Sequence, residues 1–200
     1  AAGGGRGPIV MNRLSHWFSS RTYRRQFKKR YDVINYFAKC RHPRRYLEIG
    51  TREGRCLSRV TSYVNKTGVD PQPLVTRPEW NIQPVTSDAF FASNTQRFDL
   101  IFIDGLHLAE QVIRDIYHCL DVLDDPGVIL LHDCNPASKE SQCREPDGPH
   151  WSGDVWKAIA FVRRREEELF VRVLDLDHGI GVIIPRRYGR SWPVTPALEE

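Results

Sequence analysis

Two short stretches carry the side chains best suited to chemistry. "FDLIFIDGLH" (98–107) is a near-continuous apolar run that ends in Asp104, turns on Gly105 and delivers His107 three residues later. "GVILLHDCNP" (127–136) ends in the same manner, on His132, Asp133 and Cys134. Two carboxylates and two imidazoles at two strand ends form a set that can take up a proton or hold a divalent cation. The imidazoles make such a site softer than an all-oxygen cage, favouring Mn²⁺, Fe²⁺ or Zn²⁺ over Mg²⁺. On residue types alone three plainer roles stay open: His107 as a metal-free general base, His107 as a helix cap, and His132 bonded to a neighbouring carbonyl. Successive strand residues point to opposite faces, so His132 and Asp133 converge only if the strand has ended by 132.

The surrounding sequence supplies the elements that would position these groups. "RRYLEIG" (44–50), "KTGVD" (66–70), "NIQPVTS" (81–87), 98–103 and "GVILLH" (127–132) read as strands. Helices are expected over 52–64, over "DAFFAS" with Ser87 as its cap, over 107–122 and over 153–168. In the third of these Val112, Ile113, Ile116 and Leu120 face inward. Pro84 removes a backbone donor and places its strand at a sheet edge. "LFVRVLDL" and "GIGVIIP" close the chain as a hairpin turning at Asp177-His178-Gly179. Strands that alternate with helices and carry blocks of apolar residues mean a mostly parallel sheet covered on both faces, with one antiparallel hairpin. The polar stretch 134–152 reads as a long loop or lid, with His150 and Trp151 as substrate contacts and Trp156 as core.

Composition sets outer bounds. Two hundred residues, 40% hydrophobic and 27% charged, fit one soluble globular domain. No apolar run is long enough to span a bilayer, and the Gly-rich residues ahead of Met11 do not resemble a signal peptide. Five cysteines without metal or disulfide spacing imply free thiols and a cytoplasmic location. Residues 1–45 hold twelve Lys or Arg against one acid, Asp32, while the rest of the chain holds seventeen against twenty-four. Residues 1–43 are therefore expected to form a basic arm with helices packed on a core domain of 44–200. Tyr23, Phe27, Tyr31 and Ile34, with Trp17, Phe18 and Phe37 near them, give that arm an apolar stripe.

"YLEIGTREGRC" sets Glu48, Gly50, Thr51 and Gly54 at a strand-to-helix turn, with Asp70 at the end of the next strand. Gly50 permits the tight turn and Gly54 a close approach of the chain to a ligand. The spacing departs from G-x-G-x-x-G, which disfavours a nicotinamide oxidoreductase. An acid in the place of Asp70 suits the hydroxyls of a ribose.

Together with "TGVDPQP", "TSDAFF", "FDLIFIDGLHLAEQVIRD" and "GVILLHDCNP", this turn resembles the successive motifs of class I S-adenosylmethionine-dependent methyltransferases. The likeness is to their small O-methyltransferase-like branch, over roughly residues 44 to 184. The resemblance implies a Rossmann-like α/β/α fold with a seven-stranded, mostly parallel sheet. It implies that Glu48, Gly50, Thr51 and Gly54 surround the methionine part of the cofactor and that Asp70, beside Pro71, holds the ribose. Ser87 and Asp88 would stand at the adenine edge and Asp104 under the sulfonium. Asp104 and Asp133 match the metal-binding acids of metal-dependent members such as catechol O-methyltransferase, although Cys134 follows where that enzyme has an amide. The implied activity is O-methylation of a small molecule or sugar, with Asp104, His107 and Asp133 catalytic and Asp104, His107, His132 and Asp133 as the metal set. A membrane partner is not expected, and a homo-oligomer is compatible with the pattern. The second reading is an RNA partner docked on the basic arm, against which stands the lack of an aromatic-interleaved basic stretch on the core.

Overall fold

The computed structural model describes residues 23–41, 45–61, 65–146, 148 and 151–186. The expectations resting on Trp17, Phe18 and His150, and on the side chain of Tyr23, lie outside what is described. The chain runs α1 (Tyr23–Gln26), α2 (Arg30–Arg41), β1 (Arg45–Ile49), α3 (Arg55–Arg59), β2 (Asn65–Val69), β3 (Trp80–Gln83) and α4 (Ser87–Ser93). It continues through β4 (Phe98–Ile103), α5 (Ala109–Asp121), β5 (Leu123–Leu131), a 3₁₀ turn (Glu140–Gln142), α6 (Val155–Arg165), β6 (Leu169–Leu174) and β7 (Ile180–Pro185).

All seven strands join one sheet in the order β3-β2-β1-β4-β5-β7-β6. The first five are parallel, and β7 runs antiparallel to both β5 and β6. Side chains of alternating strand positions enter two separate cores. On one face Leu47, Ile49, Ile101, Ile103, Ile129 and Leu131 pack against Val112, Ile113, Ile116 and Leu120 of α5 and against α6. On the other face Tyr46, Leu100, Phe102, Val128 and Leu130 pack against Phe27, Val33, Ile34, Phe37 and Ala38. Each such aliphatic side chain contributes about 1.5–3 kcal/mol when fully buried, so α2 is a constituent of the core.

Several boundaries differ from expectation for local reasons. The third strand stops at Gln83 because Pro84 offers no donor to the ladder, and it lies at the sheet edge. Helix α4 is capped by Thr86, whose Oγ1 accepts from the Ala89 N–H at 3.2 Å; Ser87 is its first helical residue. The helix expected from 52 begins only at Arg55, since Arg52 and Gly54 have φ of 38° and 66°. The apolar stripe of the arm is broken between α1 and α2, where Asp32 Oδ2 accepts from the backbone N–H groups of Lys28 and Lys29 at 2.9 and 3.0 Å. The buried face of α2 consequently carries Val33, Ile34, Phe37 and Ala38, and Tyr31 is half-buried with Arg59 over its ring.

Strand order reverses between β1 and β4: the chain winds outward through β2 and β3, then returns to the other side of β1. Open parallel sheets bind ligands at that point, beyond the carboxyl ends of the strands. Every residue there is held one step past its strand by a backbone hydrogen bond to a neighbour. Gly50 N–H donates to Val69 O, Asp70 N–H to Gln83 O, Asp104 N–H to Ile49 O and His132 N–H to Ile103 O, at 2.8 to 3.1 Å.

Candidate active site

The loop after β1 approaches the end of β4 so closely that only glycine fits at position 50. Its φ is 84°, and a Cβ there would lie 2.0 Å from the carbonyl oxygen of Asp104. Gly54 is confined by packing as well, because a Cβ at that position would strike the Trp80 ring at 2.4 Å. Asp70 clamps two loops together: Oδ2 accepts from the Arg52 N–H at 2.7 Å and Oδ1 from the Gln72 N–H at 2.8 Å. Each oxygen retains a lone pair for a further donor. Pro71 follows it, exposed. Thr51 is buried, and its Oγ1 has no partner among the described residues, an orphan hydroxyl that a bound ligand could satisfy.

Glu48 sits beneath this loop, 2% exposed, with the Tyr46 hydroxyl donating to its Oε2 at 2.7 Å. Burial pushes its pKa up to about 8, so the side chain is a neutral acid at pH 7. On the opposite flank, Ser87 and Asp88 both accept from the Gln111 amide, at 3.2 and 3.1 Å. The same amide also reaches Asp115, which is 1% exposed and driven up to about 6 by burial. Gln111 and Asp115 lie on α5 and escaped the sequence reading because they sit within an otherwise amphipathic helical pattern.

The groups singled out first converge. β5 ends at Leu131, so His132 and Asp133, the latter at φ 57°, turn together into one cluster. His107 Nε2 lies 3.5 Å from Asp104 Oδ1 and 3.4 Å from Asp133 Oδ2. Trp151 stacks on the His107 ring with centroids 4.9 Å apart and donates through Nε1 to Cys143 O at 2.6 Å. Ser152 donates to Asp133 Oδ1 at 3.0 Å. The loop expected to be a lid is tied down here, with Arg144 bridging Glu110 and the buried Asp154. Trp156, expected in the core, is only half-buried and its Nε1 is unpaired among the described residues.

His132 has a distinct role in this geometry. Its Nε2 meets the backbone carbonyl of Asp177 at 2.7 Å, while Nδ1 faces Asp133 Oδ2 at 2.8 Å and Asp104 Oδ1 at 3.2 Å. The three acceptors favour a proton on each nitrogen, although the Arg30 guanidinium also lies 3.1 Å from Nδ1. Burial opposes the charge, but the two carboxylates push the pKa up to about 10. His132 is thus an imidazolium that bridges the acids, and the atoms able to hold an ion are those of Asp104, His107 and Asp133, all within 4.8 Å of one another.

Two contributors were not anticipated, Arg30 and Asp177. Arg30 reaches in from the basic arm, its guanidinium donating to Asp104 Oδ2 at 2.6 Å. Its Nε and backbone N–H both donate to Asp177 Oδ2, at 3.0 and 2.9 Å. Asp177 therefore holds both cations that converge on Asp104: Arg30 by its carboxylate and His132 by its carbonyl. Burial alone would raise the Asp104 pKa, yet His132, His107 and Arg30 prevail and hold it well below the usual carboxylate range. For His107 burial is again outweighed, by Asp104 and Asp133, and its pKa is raised. Cys134 is structural: buried, donating to Leu131 O at 3.4 Å, with a thiol that burial pushes far up.

Comparison with known proteins gives this geometry a context. Residues 47–134 match a family model described as a methyltransferase domain. No curated protein matches the sequence significantly. Among solved structures, a methyltransferase from Podospora anserina bound to S-adenosylhomocysteine superposes with a TM-score of 0.62 at 15% identity, over 92% of this chain and 99% of that one. The O-methyltransferase TomG of Streptomyces achromogenes, in complex with S-adenosylmethionine, superposes at 0.57 and 14% identity over 76% and 78% of the two chains. An O-methyltransferase of Bacillus cereus superposes at 0.55 and 10% identity over 86% and 90%. The matched domain spans β1 to the end of β5, the stretch that builds the strand-end site. The chain shares the fold of these methyltransferases, and the match to the methyltransferase domain falls on the part of it that builds the strand-end site.

Proposed function

We propose that the chain transfers the methyl group of S-adenosylmethionine to a hydroxyl of a small molecule or sugar, with divalent-metal assistance. The observation that carries this reading is the placement of His107 Nε2 between Asp104 and Asp133, 3.5 and 3.4 Å from their carboxylates, at the end of the strand beside the β1 loop. Glu48, Gly50, Thr51 and Gly54 would lie around the methionine part of the cofactor, Asp70 at its ribose, and Ser87 and Asp88 at its adenine. The unpartnered Thr51 hydroxyl supports a ligand in that loop.

The donor set of Asp104, His107 and Asp133 fits a divalent ion, two carboxylate oxygens and one imidazole nitrogen converging from two strand ends. When bound, the cofactor supplies a methyl carbon activated by sulfonium, and the ion acidifies the acceptor hydroxyl. The protein's own groups then have defined tasks. His107, oriented by Trp151, takes the hydroxyl proton when it is not serving as a ligand. Arg30 and His132 fix the Asp104 carboxylate, and Ser152 fixes that of Asp133, so that the acceptor oxygen is aligned with the methyl carbon. No helix among the described residues is long and apolar enough to cross a membrane, and Cys56, Cys119, Cys134 and Cys143 are free thiols, which supports a reducing, cytoplasmic setting.

Incubation with methyl-labelled S-adenosylmethionine and a panel of catechols, polyols and sugars, with added Mn²⁺ or with chelator, tests this. Label should enter at least one hydroxylated acceptor and fall with chelator. Full transfer in chelator would remove the ion and leave His107 as the base, and label only in amine acceptors would overturn the O-methyl reading.

A further inference from the structure

The basic segment remains only partly explained by Arg30. Residues 24–30 hold five cations, Arg24, Arg25, Lys28, Lys29 and Arg30, and the hairpin turn opposite them holds two acids, Asp175 and Asp177. Both acids are already engaged. Arg24 pairs with Asp175, whose other oxygen accepts from Asn135 Nδ2 at 2.9 Å, and Lys29 and Arg30 pair with Asp177. Lys28 Nζ reaches only the Arg24 carbonyl, at 3.3 Å, and neither Lys28 nor Arg25 pairs with a carboxylate among the described residues.

Between this segment and the turn lies a cavity of about 350 Å³, lined by Arg24, Phe27, Lys28, Asp175, Leu176 and Asp177. That volume falls in the range of small-molecule sites. Its position follows from the sheet. β7 begins beside the end of β5, with Leu131 opposite Gly181, so the 175–179 turn stands at the same carboxyl edge as Asp104 and Asp133. It stands on the far side of them from the β1 loop. Asp177 is common to the cavity and to the catalytic cluster, and the Arg30 guanidinium links Asp177 to Asp104.

We propose that this cavity is the outer half of the acceptor site and takes an anionic group, a carboxylate or a phosphate, carried on a sugar-sized acceptor. The proposal rests on the methyl-transfer reading above. Lys28 supplies a charge that the turn does not neutralise, positioned to accept an oxyanion. Arg24 stands beside it. Phe27 and Leu176, which pack on the core behind, give a firm floor, while the mostly charged lining suits a hydroxylated body better than an aromatic one.

The test titrates the isotope-labelled full chain with glucose 6-phosphate, glucuronate, glucose and inorganic phosphate, reading the backbone amides of Phe27, Lys28 and Leu176 by NMR. Saturable shifts are expected with one or both anionic sugars, and whichever binds assigns phosphate or carboxylate. Lys28→Glu should weaken that binding by about tenfold or more, as for a lost charge-assisted hydrogen bond, and Lys28→Arg should retain it. Absence of saturable shifts, equal binding of glucose, equal binding of bare phosphate, or indifference to Lys28→Glu would each overturn the proposal. S-adenosylhomocysteine added to the same samples separates the two failures. Its binding without sugar binding sinks the subsite alone, and its failure to bind sinks the methyl-transfer reading.

Discussion

Glu48 offers a test of the site's electrostatics that needs no substrate. The residue is 2% exposed, its carboxyl accepts from the Tyr46 hydroxyl, and burial lifts its pKa to about 8 from an ordinary value of 4.5. In the unfolded chain the group ionises near its ordinary value, so between the two values the folded protein holds a proton that the unfolded chain has released. Stability from this group is therefore fully present below about pH 4.5 and is lost as pH rises, until the folded acid also ionises near 8. At about 1.36 kcal/mol per unit of pKa, the loss from pH 5 to 8 is about 3–4 kcal/mol. Glu48→Gln keeps an acceptor for Tyr46 and removes the ionisation. Urea denaturation of both proteins at half-unit intervals should give curves that agree near pH 5 and diverge by about 3 kcal/mol at pH 8, the variant being the more stable. Parallel stability profiles across that range would show that Glu48 is charged in the fold and would refute the reasoning.

Further expectations concern the cluster itself. NMR titration of the His107 imidazole should give a pKa above 6.5, and Asp104→Asn should lower it, because the Asp104 carboxylate is the largest contribution raising it; an unmoved value would break that pairing. Activity that needs His107 as a base should accordingly rise through and beyond pH 6.5. Arg30→Ala should cut kcat on the order of 10–100-fold while leaving cofactor affinity unchanged, and millimolar guanidinium should restore part of it; a loss that guanidinium cannot rescue would make Arg30 merely structural. Gly50→Ala, with its Cβ 2.0 Å from the Asp104 carbonyl, should destabilise the fold by more than about 2 kcal/mol, read by thermal denaturation.

The strand ends were legible in the sequence because chemistry and punctuation coincide there. An apolar run stopping at Asp104-Gly105 or His132-Asp133 announces both the strand and what it delivers, and the fold brings Asp104, His107, His132 and Asp133 together. The edge position of β3 was legible from Pro84 for an equally local reason. Arg30 and Asp177 were not, since they are 147 positions apart and each looks like an ordinary surface charge until the fold closes. The role of His132 was open for a related reason: the Asp177 carbonyl, two carboxylates and the Arg30 guanidinium surround its ring only once the fold closes. Gly54 was legible as a position needing glycine, but the neighbour that demands it is Trp80, which no local pattern reveals.

The proposed activity requires that the loop after β1 and the end of β2 form an S-adenosylmethionine site beside the Asp104–His107–Asp133 cluster. Calorimetric titration with S-adenosylhomocysteine, in wild type and in Asp70→Ala, tests it most directly. One saturable site per chain is expected in wild type, with an affinity lower by about tenfold or more in Asp70→Ala, the loss expected for a hydrogen bond to a charged group. No binding by a folded wild-type chain would contradict the claim, and equal affinity in the two proteins would remove Asp70 from the site.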